Sequence, residues 1–483
     1  MNYGFVQRIM GLLLLLLSAT MLFPIGIALL YDDGGLWPFV EAGVTLLLLG
    51  LVIWFPVRKI RRDLRLRDGF IIVAMFWLVL GFASAIPLVL ADQPVMSLTD
   101  AVFEAVSGLT TTGATVLLNL DTLPHSILWY RSQLHWLGGM GIIVLAVAIL
   151  PMLGVGGMQL YKAEAPGPVK DNKITPRITQ TAKALWVIYL ALTFFCGISY
   201  WLGGMGVFDA VTHSFSTIAT GGFSTHDASF AYFQSPLLEW IAIFFMILGG
   251  INFALHFMAW RHISLKAYLQ DPECRTYFGI LIALSVITAF YLLFSNTYSD
   301  VSTAIRTSIF QVVAIITTTG FVTTNYSLWP VFVPTLLLFA MFIGGCGGST
   351  SGGIKVIRFY LLFKQGMREI KKLIHPNAVL SIKMGDRPVP DTVVESVWGF
   401  FAIYVALFVL MMLIMIATGL DQVTAFSAVA SALNNFGVGL GEIFVTFATV
   451  SDVGKWVSIF AMLLGRLEIF TLLVLLTPAF WRH

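Results

Sequence analysis

The strongest constraint in this sequence is a series of apolar stretches, each about as long as a lipid bilayer is thick. A helix needs about 20 mostly apolar residues to cross the hydrocarbon core of a membrane. Ten stretches of the 483-residue chain approach or exceed that length: residues 9–30, 38–56, 69–91, 130–154, 184–207, 236–258, 277–295, 328–363, 393–419 and 454–480. We therefore expect an all-α protein that crosses the membrane many times.

Composition supports a membrane location and excludes several other classes of protein. Hydrophobic residues form 58% of the chain and charged residues 11%, against about 25% charged residues in an ordinary soluble domain. This balance excludes a soluble enzyme, a disordered regulator and a secreted disulfide scaffold. The three cysteines, Cys196, Cys274 and Cys346, lie far apart, so we expect no structural disulfide and no zinc site.

The basic residues indicate how the chain is oriented. Of the 28 lysines and arginines, 24 are Arg8, Arg482 or members of segments 57–68, 160–183, 259–275 and 355–387. Ten spans place all of these on one side, and positively charged segments remain on the cytoplasmic side of a membrane. We therefore expect both termini in the cytoplasm. A signal peptide is the alternative for the first stretch, but its apolar run is longer than a signal peptide requires.

Four of the segments between spans resemble one another. They read DAVFEAVSGLTTTGA (100–114), DAVTHSFSTIATGGF (209–223), TSIFQVVAIITTTGF (307–321) and TAFSAVASALNNFGV (424–438). Each begins with a residue that favours a helix N-cap, namely Asp100, Asp209, Thr307 or Thr424. The apolar pattern that follows lasts about three turns, which is too short to cross a bilayer. We expect four half-helices that enter the membrane and stop, each followed by irregular backbone.

The Thr-Gly strings after these half-helices suit cation binding. Irregular backbone at membrane depth is tolerated only where it is buried in protein or lines a water-filled path. The C-terminal end of a helix favours a cation, and rings of carbonyl oxygens can replace the hydration shell of potassium. Glycine permits the backbone angles that turn successive carbonyls toward one side. One TTTG string is an ordinary polar turn, but four in register predict an ion pathway.

These motifs resemble the membrane subunits of the Trk/Ktr/HKT superfamily of potassium transporters, most closely its TrkH/TrkG branch. The resemblance covers nearly the whole chain and includes SGLTTTGAT, ATGGFSTHD, TTTGFVT, NNFGVGLG, FIGGCGGSTSGGIKVIR and GRLEIFTLL. It implies one pore per subunit, surrounded by four pseudo-repeats of helix, pore half-helix, filter loop and helix. It also implies a homodimer in the bacterial cytoplasmic membrane that takes up potassium as its transported ion.

Applied to this chain, the resemblance assigns both domains and site residues. Residues 1–68 form a two-helix hairpin with a basic loop, and the pore repeats are 69–160, 161–262, 263–375 and 376–483. The implied ion-coordinating residues are Thr111-Thr112-Gly113, Thr220-Gly221-Gly222, Thr318-Thr319-Gly320 and Asn435-Phe436-Gly437. The fourth loop departs most from the pattern, because asparagine and phenylalanine replace threonine. Family members with serine in the first loop tend to admit sodium.

A glycine-rich string interrupts the eighth apolar stretch. It comprises Gly344, Gly345, Gly347, Gly348, Ser349, Thr350, Ser351, Gly352 and Gly353. Each glycine costs a helix about 1 kcal/mol relative to alanine. Close packing of small residues between helices is one interpretation; a flexible loop that gates the pore is the other, and the resemblance supports the gate. A phosphate-binding loop is disfavoured because the GxxxxGK[ST] order is missing.

Several polar residues also lie within apolar segments. A charge at membrane depth normally faces a cavity or a partner, and Arg466 lies in the last apolar stretch. It is either a structurally paired arginine or, as the resemblance implies, a pore-facing charge that raises the barrier to cations. Glu468 lies two residues away and is not expected to be its main partner. Glu104, His213 and Gln311 share one position in the repeat, where we expect hydrogen bonds behind the filter.

Three classes of function are compatible with a polytopic protein of this composition. Channel-like potassium translocation is the first hypothesis, and symport of potassium with protons or sodium is the alternative. Symport would need ionisable groups along the path, for which Glu104 and Glu468 are candidates. No HExxH, GxSxG or similar motif supports a membrane enzyme. The resemblance implies a cytosolic TrkA-type nucleotide-binding regulatory subunit; we expect no cofactor and no nucleic-acid partner.

Overall fold

The computed structural model describes residues 3–60, 66–144, 178–385 and 387–481. Its first helices are α1 (Tyr3–Thr20), α2 (Leu22–Tyr31), α3 (Leu36–Trp54), α4 (Leu66–Ala83), α5 (Ile86–Leu90), α6 (Leu98–Leu109) and α7 (His125–Val144). The middle of the chain forms α8 (Ile178–Leu202), α9 (Val207–Ile218), α10 (Pro236–Gly249), α11 (Phe253–His262), α12 (Lys266–Gln270), α13 (Pro272–Phe294) and α14 (Val301–Ile316).

The remaining helices are α15 (Phe332–Ala340), α16 (Val356–Ile374), α17 (Asp391–Ala417), α18 (Gln422–Leu433), α19 (Asp452–Arg466), α20 (Phe470–Leu476) and α21 (Pro478–Trp481). One short antiparallel hairpin pairs β1 (Lys383–Met384) with β2 (Arg387–Pro388). Parts of the predicted basic segments, including residues 61–65 and 160–177, lie outside the described residues, as do residues 145–154 of the fourth predicted span.

The prediction of an all-helical membrane protein is confirmed. Six described helical segments are long and apolar enough to cross a membrane: Gly4–Tyr31, Leu36–Val57, Gly69–Leu90, Lys183–Leu202, Pro272–Phe294 and Asp391–Ala417. Two further predicted spans, 236–258 and 454–480, are bent pairs rather than single helices. The bend is 97° between α10 and α11 and 112° between α19 and α20.

Local backbone chemistry explains both bends. Between α10 and α11 the side chain of Asn252 accepts a hydrogen bond from the N–H of Ala254 at 2.8 Å, which starts a new helix. Between α19 and α20, Glu468 and Ile469 have φ angles of 53° and 57°. Such left-handed residues end a right-handed helix. A count of apolar residues detects neither break.

The four predicted short helices are α6, α9, α14 and α18, with 12, 12, 16 and 12 residues. Even the longest rises only about 24 Å at about 1.5 Å per residue, which is less than the core thickness of about 30 Å. Each packs against a helix on either side of it within its own repeat. Three of them also contact a helix of the neighbouring repeat: α6 contacts α19, α9 contacts α7 and α14 contacts α10. The half-helices therefore lie at the centre, and α6 is buried from Ala101 to Leu109.

The predicted N-caps of these helices are wrong, for Asp100, Asp209, Thr307 and Thr424 alike. The residues at that position are Ser97, Gly206, Asp300 and Asp421. Three of the predicted caps are instead the third residue of their helix, where polar side chains favour the first turn. Thr307 lies farther inside α14. Each helix therefore begins about one turn or more before the residue that the sequence pattern predicts as its cap.

Candidate functional site

All four half-helices end in the same backbone turn. The backbone N–H of the second residue after each helix cap donates to the carbonyl five residues before it. The donors and acceptors are Thr112 and Ser107, Gly221 and Ser216, Thr319 and Ala314, and Phe436 and Ser431, at 2.9, 2.8, 2.7 and 2.9 Å. This is the Schellman ending of a helix, in which one residue adopts the left-handed conformation.

The left-handed residue of each turn is not a glycine. Thr111, Thr220, Thr318 and Asn435 have φ angles of 50°, 51°, 53° and 52°. A positive φ is uncommon for residues other than glycine, and such strain persists where the surrounding structure enforces it, often at functional sites. Sequence reasoning assigned special backbone angles to the glycines alone and missed these four residues. The repeated Thr or Asn two residues before each glycine was the available signal.

The four glycines close the loops into a ring. Gly113, Gly222, Gly320 and Gly437 have φ angles of 80°, 84°, 80° and 91°. A Cβ atom on each would collide with a carbonyl oxygen of the next loop: that of Gly221, Thr319, Phe436 and Thr112, respectively. Each loop thus contacts the next, and the fourth contacts the first. Carbonyl groups from all four loops therefore meet around one axis.

Side-chain hydrogen bonds support the ring from behind. The hydroxyls of Thr110 and Thr112 lie 2.8 Å apart, and those of Thr317 and Thr319 lie 2.7 Å apart. In the fourth loop, Nδ2 of Asn435 donates to Oγ1 of Thr112 at 3.0 Å. The asparagine that departs from the threonine pattern therefore connects the fourth loop to the first. These bonds use side-chain hydroxyl and amide groups, so they do not occupy the backbone carbonyls of the ring.

A second set of hydrogen bonds holds the irregular backbone segments that follow the ring. Glu104 accepts hydrogen bonds from the hydroxyl of Thr115 and the N–H of Val116, both at 3.0 Å. Arg131 donates to Glu104 at 2.7 Å and to the carbonyl of Ser224, in the second loop, at 3.1 Å. Both charged side chains are almost fully buried. Sequence reasoning placed Glu104 behind the filter but missed Arg131, whose signal was its isolation in an apolar helix.

The other members of that repeat position make equivalent bonds. Nε2 of His213 lies 3.0 Å from the hydroxyl of Ser224, and the side-chain amide of Gln311 donates to Thr323 at 3.2 Å. The expectation that these residues form hydrogen bonds is confirmed. Ala428 in the fourth repeat has no polar group, so this support is weakest beside Gly437.

The glycine-rich string lies against the ends of the half-helices. Oγ1 of Thr350 donates to the carbonyl of Ile218 at 3.0 Å, where α9 ends. The N–H of Gly352 donates to Oγ1 of Thr318 at 2.6 Å. The N–H of Gly353 donates to the carbonyl of Asn434 at 3.0 Å. The string therefore closes one side of the ring.

The conformation of the string is well defined by hydrogen bonds. Gly344, Gly348 and Gly353 have φ angles of 75°, 75° and 77°, which explains three of its glycines. The N–H of Cys346 donates to the carbonyl of Gly250 at 2.9 Å, and that of Gly347 donates to Oε1 of Glu273 at 2.7 Å. Gly345, Ser349 and Ser351 are buried with them. These hydrogen bonds hold the string in place in this structure.

Arg466 connects this string to the ring. Its guanidinium donates to the carbonyl of Thr350 at 3.1 Å and also to the carbonyl of Thr110 and the hydroxyl of Thr111. The side chain is 6% exposed. Glu468 instead pairs with Arg358 at 2.7 Å, so the expectation that Glu468 is not the partner of Arg466 is confirmed. Arg466 therefore supplies positive charge at the C-terminal end of α6.

The ring separates two cavities of different size. A cavity of about 300 Å³ is lined by Gly113, Gly222 and Gly320 and by the loop around His226. On the other side, a cavity of about 40 Å³ is lined by Arg466 and by Gly352 of the string. The narrow side is therefore the one that Arg466 and the string occupy.

A charged cluster stands beside the wide cavity. Nδ1 of His226 lies 2.5 Å from Asp121 and its Nε2 lies 3.4 Å from Asp209. Partial burial lowers the pKa of His226, but hydrogen bonds to Asp209 and Asp121 outweigh it, so that pKa is raised above 6.5. The cluster therefore connects Asp121, which follows the first loop, to Asp209 and His226 of the second repeat.

Comparison with known proteins matches the whole chain to one family. Residues 37–482 match the family model TrkH, described as cation transport protein. The chain belongs to the TrkH family. It is 55% identical to the Trk system potassium uptake protein TrkH of Vibrio parahaemolyticus and 53% identical to that of Escherichia coli, over 100% of each chain. A crystal structure of the potassium transporter TrkH from V. parahaemolyticus aligns with a TM-score of 0.93 and 53% identity, also over both full chains.

Membership in the TrkH family confirms the resemblance inferred from the loop motifs and the all-helical fold. It also confirms that the chain is a transport protein rather than an enzyme. The roles of individual ring and string residues rest on geometry and are proposed below.

The His226 cluster of this TrkH family member predicts a pH-dependent stability. A raised pKa means that protonated His226 contributes stability below about pH 6.5, and that this contribution is lost as the pH rises through the raised value. His226→Asn should therefore lower the Tm of the detergent-solubilised protein more at pH 5.5 than at pH 9. Differential scanning fluorimetry at both pH values measures this, and an equal loss of Tm at both would contradict it.

Proposed function

We propose that this TrkH family member is the potassium-translocating subunit of a bacterial uptake system, a multi-pass protein of the cytoplasmic membrane with both termini inside. The relatives named above are called potassium uptake proteins. The observation that carries the proposal is the closed ring, in which each glycine meets a carbonyl of the next loop. Our division into a hairpin, 1–68, and four pore repeats is part of this proposal.

The ring supplies the chemistry that a dehydrated potassium ion requires. The ligands are backbone carbonyls of Thr111-Thr112-Gly113, Thr220-Gly221-Gly222, Thr318-Thr319-Gly320 and Asn435-Phe436-Gly437. Carbonyl oxygens can replace water around potassium, and the four half-helix C-termini add negative dipole ends. Because the hydroxyl pairs Thr110–Thr112 and Thr317–Thr319 and the amide of Asn435 stabilise the loops from behind, the ring resists collapse around a smaller ion.

The string 344–353 and Arg466 act as the gate. They occupy the narrow side of the ring and donate hydrogen bonds to groups at all four half-helix ends. A positive charge opposes a cation more strongly where the dielectric is low. Conduction therefore requires the string and Arg466 to move away. A TrkA-type nucleotide-binding subunit and a second copy of this chain are the proposed partners that control this movement.

Channel-like transport is favoured over symport by the ion pairs of Glu104 and Glu468. Symport with protons or sodium requires a carboxylate that can bind the coupled ion. Glu104 is bound by Arg131, and Glu468 is bound by Arg358. The two acids proposed for coupling are therefore already neutralised by arginines. Reversal potentials in proteoliposomes distinguish the two, because a passive pore follows the potassium gradient alone.

The ring predicts that Gly113→Ser reduces selectivity for potassium over sodium. Serine disfavours the positive φ at this position by about 1–2 kcal/mol, and its Cβ would collide with the carbonyl of Gly221. Rubidium influx into cells or proteoliposomes, with sodium as competitor, measures the change. Gly399→Ser is the matched control, because no neighbouring atom lies within 4 Å of a Cβ there. If both variants keep wild-type selectivity, Gly113 has no role in the filter.

The gate predicts that Arg466→Gln increases potassium flux per folded molecule. Glutamine removes the charge and most of the hydrogen bonds to Thr350, Thr110 and Thr111. A purely structural arginine predicts poor yield instead, because its buried partners would be left unpaired. Influx is normalised to monodisperse protein, with Arg306→Gln, which breaks an ion pair with Glu239, as the control. Normal yield with unchanged flux would refute the barrier.

The string can be displaced directly with Gly352→Ala. A Cβ at this position would collide with the carbonyl of Asn434, so the string should move away from the ring and flux should rise several-fold. Gly366→Ala in α16 is the control, since no atom lies within 4 Å of its Cβ. Folded Gly352→Ala protein with flux at or below wild type would show that the string does not obstruct the pathway.

A further inference from the structure

A large groove lies outside the ion pathway, where α13 begins. It has a volume of about 760 Å³ and lies between the start of α13, the middle of α16 and the hairpin β1–β2. Among the described residues that line it, five are basic and none is acidic: Arg275, Lys364, Arg368, Lys371 and Lys383. We call these five residues and their surface the basic groove. Basic segments of a membrane protein lie on the cytoplasmic side.

The positive charge of the basic groove is largely uncompensated. Arg368 pairs with Asp391 at 2.5 Å. Among the residues that the structure describes, Lys364, Lys371 and Lys383 have no carboxylate within ion-pair distance. Like charges that line one groove repel one another. The basic groove is therefore complementary to a ligand that carries negative charge.

The basic groove continues into a membrane-facing apolar strip. Arg275 lies in the first turn of the membrane span Pro272–Phe294. On the same helix, Phe278, Ile282, Val286 and Phe290 are 36%, 63%, 61% and 69% exposed. Their spacing of four residues places them along one face. At the rim of the groove, Phe363 is also 69% exposed. Cations at one end of an apolar strip match a phospholipid, which carries phosphate above acyl chains.

We propose that the basic groove binds an anionic phospholipid of the cytoplasmic leaflet. Its phosphate contacts Arg275, Lys364, Lys371 and Lys383, and an acyl chain lies along Phe278 and Ile282. Basic pockets between membrane helices on the cytoplasmic side recognise anionic headgroups in this way. A second copy of this chain is a poorer occupant, because a two-fold contact through the same surface would bring two sets of these cations together. The proposal requires a membrane location and is independent of the ion pathway.

Native mass spectrometry of the full chain in mild detergent tests this site. Phosphatidylglycerol is titrated against wild type and against the variant Lys364→Gln/Lys371→Gln/Lys383→Gln. The control, Arg261→Gln/Lys266→Gln/Lys372→Gln, loses the same charge from residues outside the groove. We expect the groove variant to bind phosphatidylglycerol at least tenfold more weakly, and the control less than twofold. Zwitterionic phosphatidylethanolamine should bind weakly to all three proteins.

A variant that conserves the charge separates the loss of charge from a loss of folding. The variant Lys364→Arg/Lys371→Arg/Lys383→Arg retains the charge and should retain binding, which provides a test if the glutamine variant folds poorly. Equal losses in the groove variant and the control would overturn the site in favour of nonspecific attraction. Unchanged lipid binding with loss of dimers in the groove variant would assign the surface to contact between copies and overturn the proposal. Loss of binding in the arginine variant would also overturn it.

Discussion

Four helices end in the middle of this protein, and each end leaves backbone carbonyl groups without partners in their own helix. In a membrane protein those groups cannot turn to bulk solvent, so they need internal donors or a cation. The structure supplies the donors from two sources. Schellman turns satisfy part of each end, and the string 344–353 together with Arg466 donates a hydrogen bond to a further group at each end. The backbone carbonyls of the ring receive none of these hydrogen bonds, so they are suited to bind a cation.

In our proposal, this division of the helix ends links ion selectivity to gating. The hydroxyls of Thr111 and Thr318 bond to Arg466 and Gly352 on the narrow side, while the carbonyls that follow them meet in the ring. A movement of the string therefore changes the surroundings of the residues that shape the filter. In our account Arg466 is a resident cation at the same helix ends that attract potassium. Arg466 and the transported ion would therefore compete for the same negative ends of the half-helices.

The features predictable from the sequence were those with a strong local signal. The length of the half-helices follows from apolar periodicity, and the position of the loop glycines, such as Gly113, follows from the fourfold register of the motif. The α10–α11 bend was missed because a single Asn side chain creates it. The N-caps were misplaced because an acidic residue at the third position of a helix, such as Asp100 in α6, resembles an N-cap in the sequence. The left-handed Thr111 and the Arg131 contact depend on neighbouring repeats, which a single segment cannot reveal.

We propose that a dehydrated potassium ion binds at the ring of carbonyls. Anomalous diffraction from crystals grown in rubidium tests it most directly, because rubidium substitutes for potassium and is located independently of the protein model. Our account predicts an anomalous peak on the ring axis, within coordination distance of carbonyl oxygens of Thr112, Gly221, Thr319 and Phe436. Rubidium peaks elsewhere along the protein, with none at the ring in a protein shown to carry rubidium flux, would contradict it.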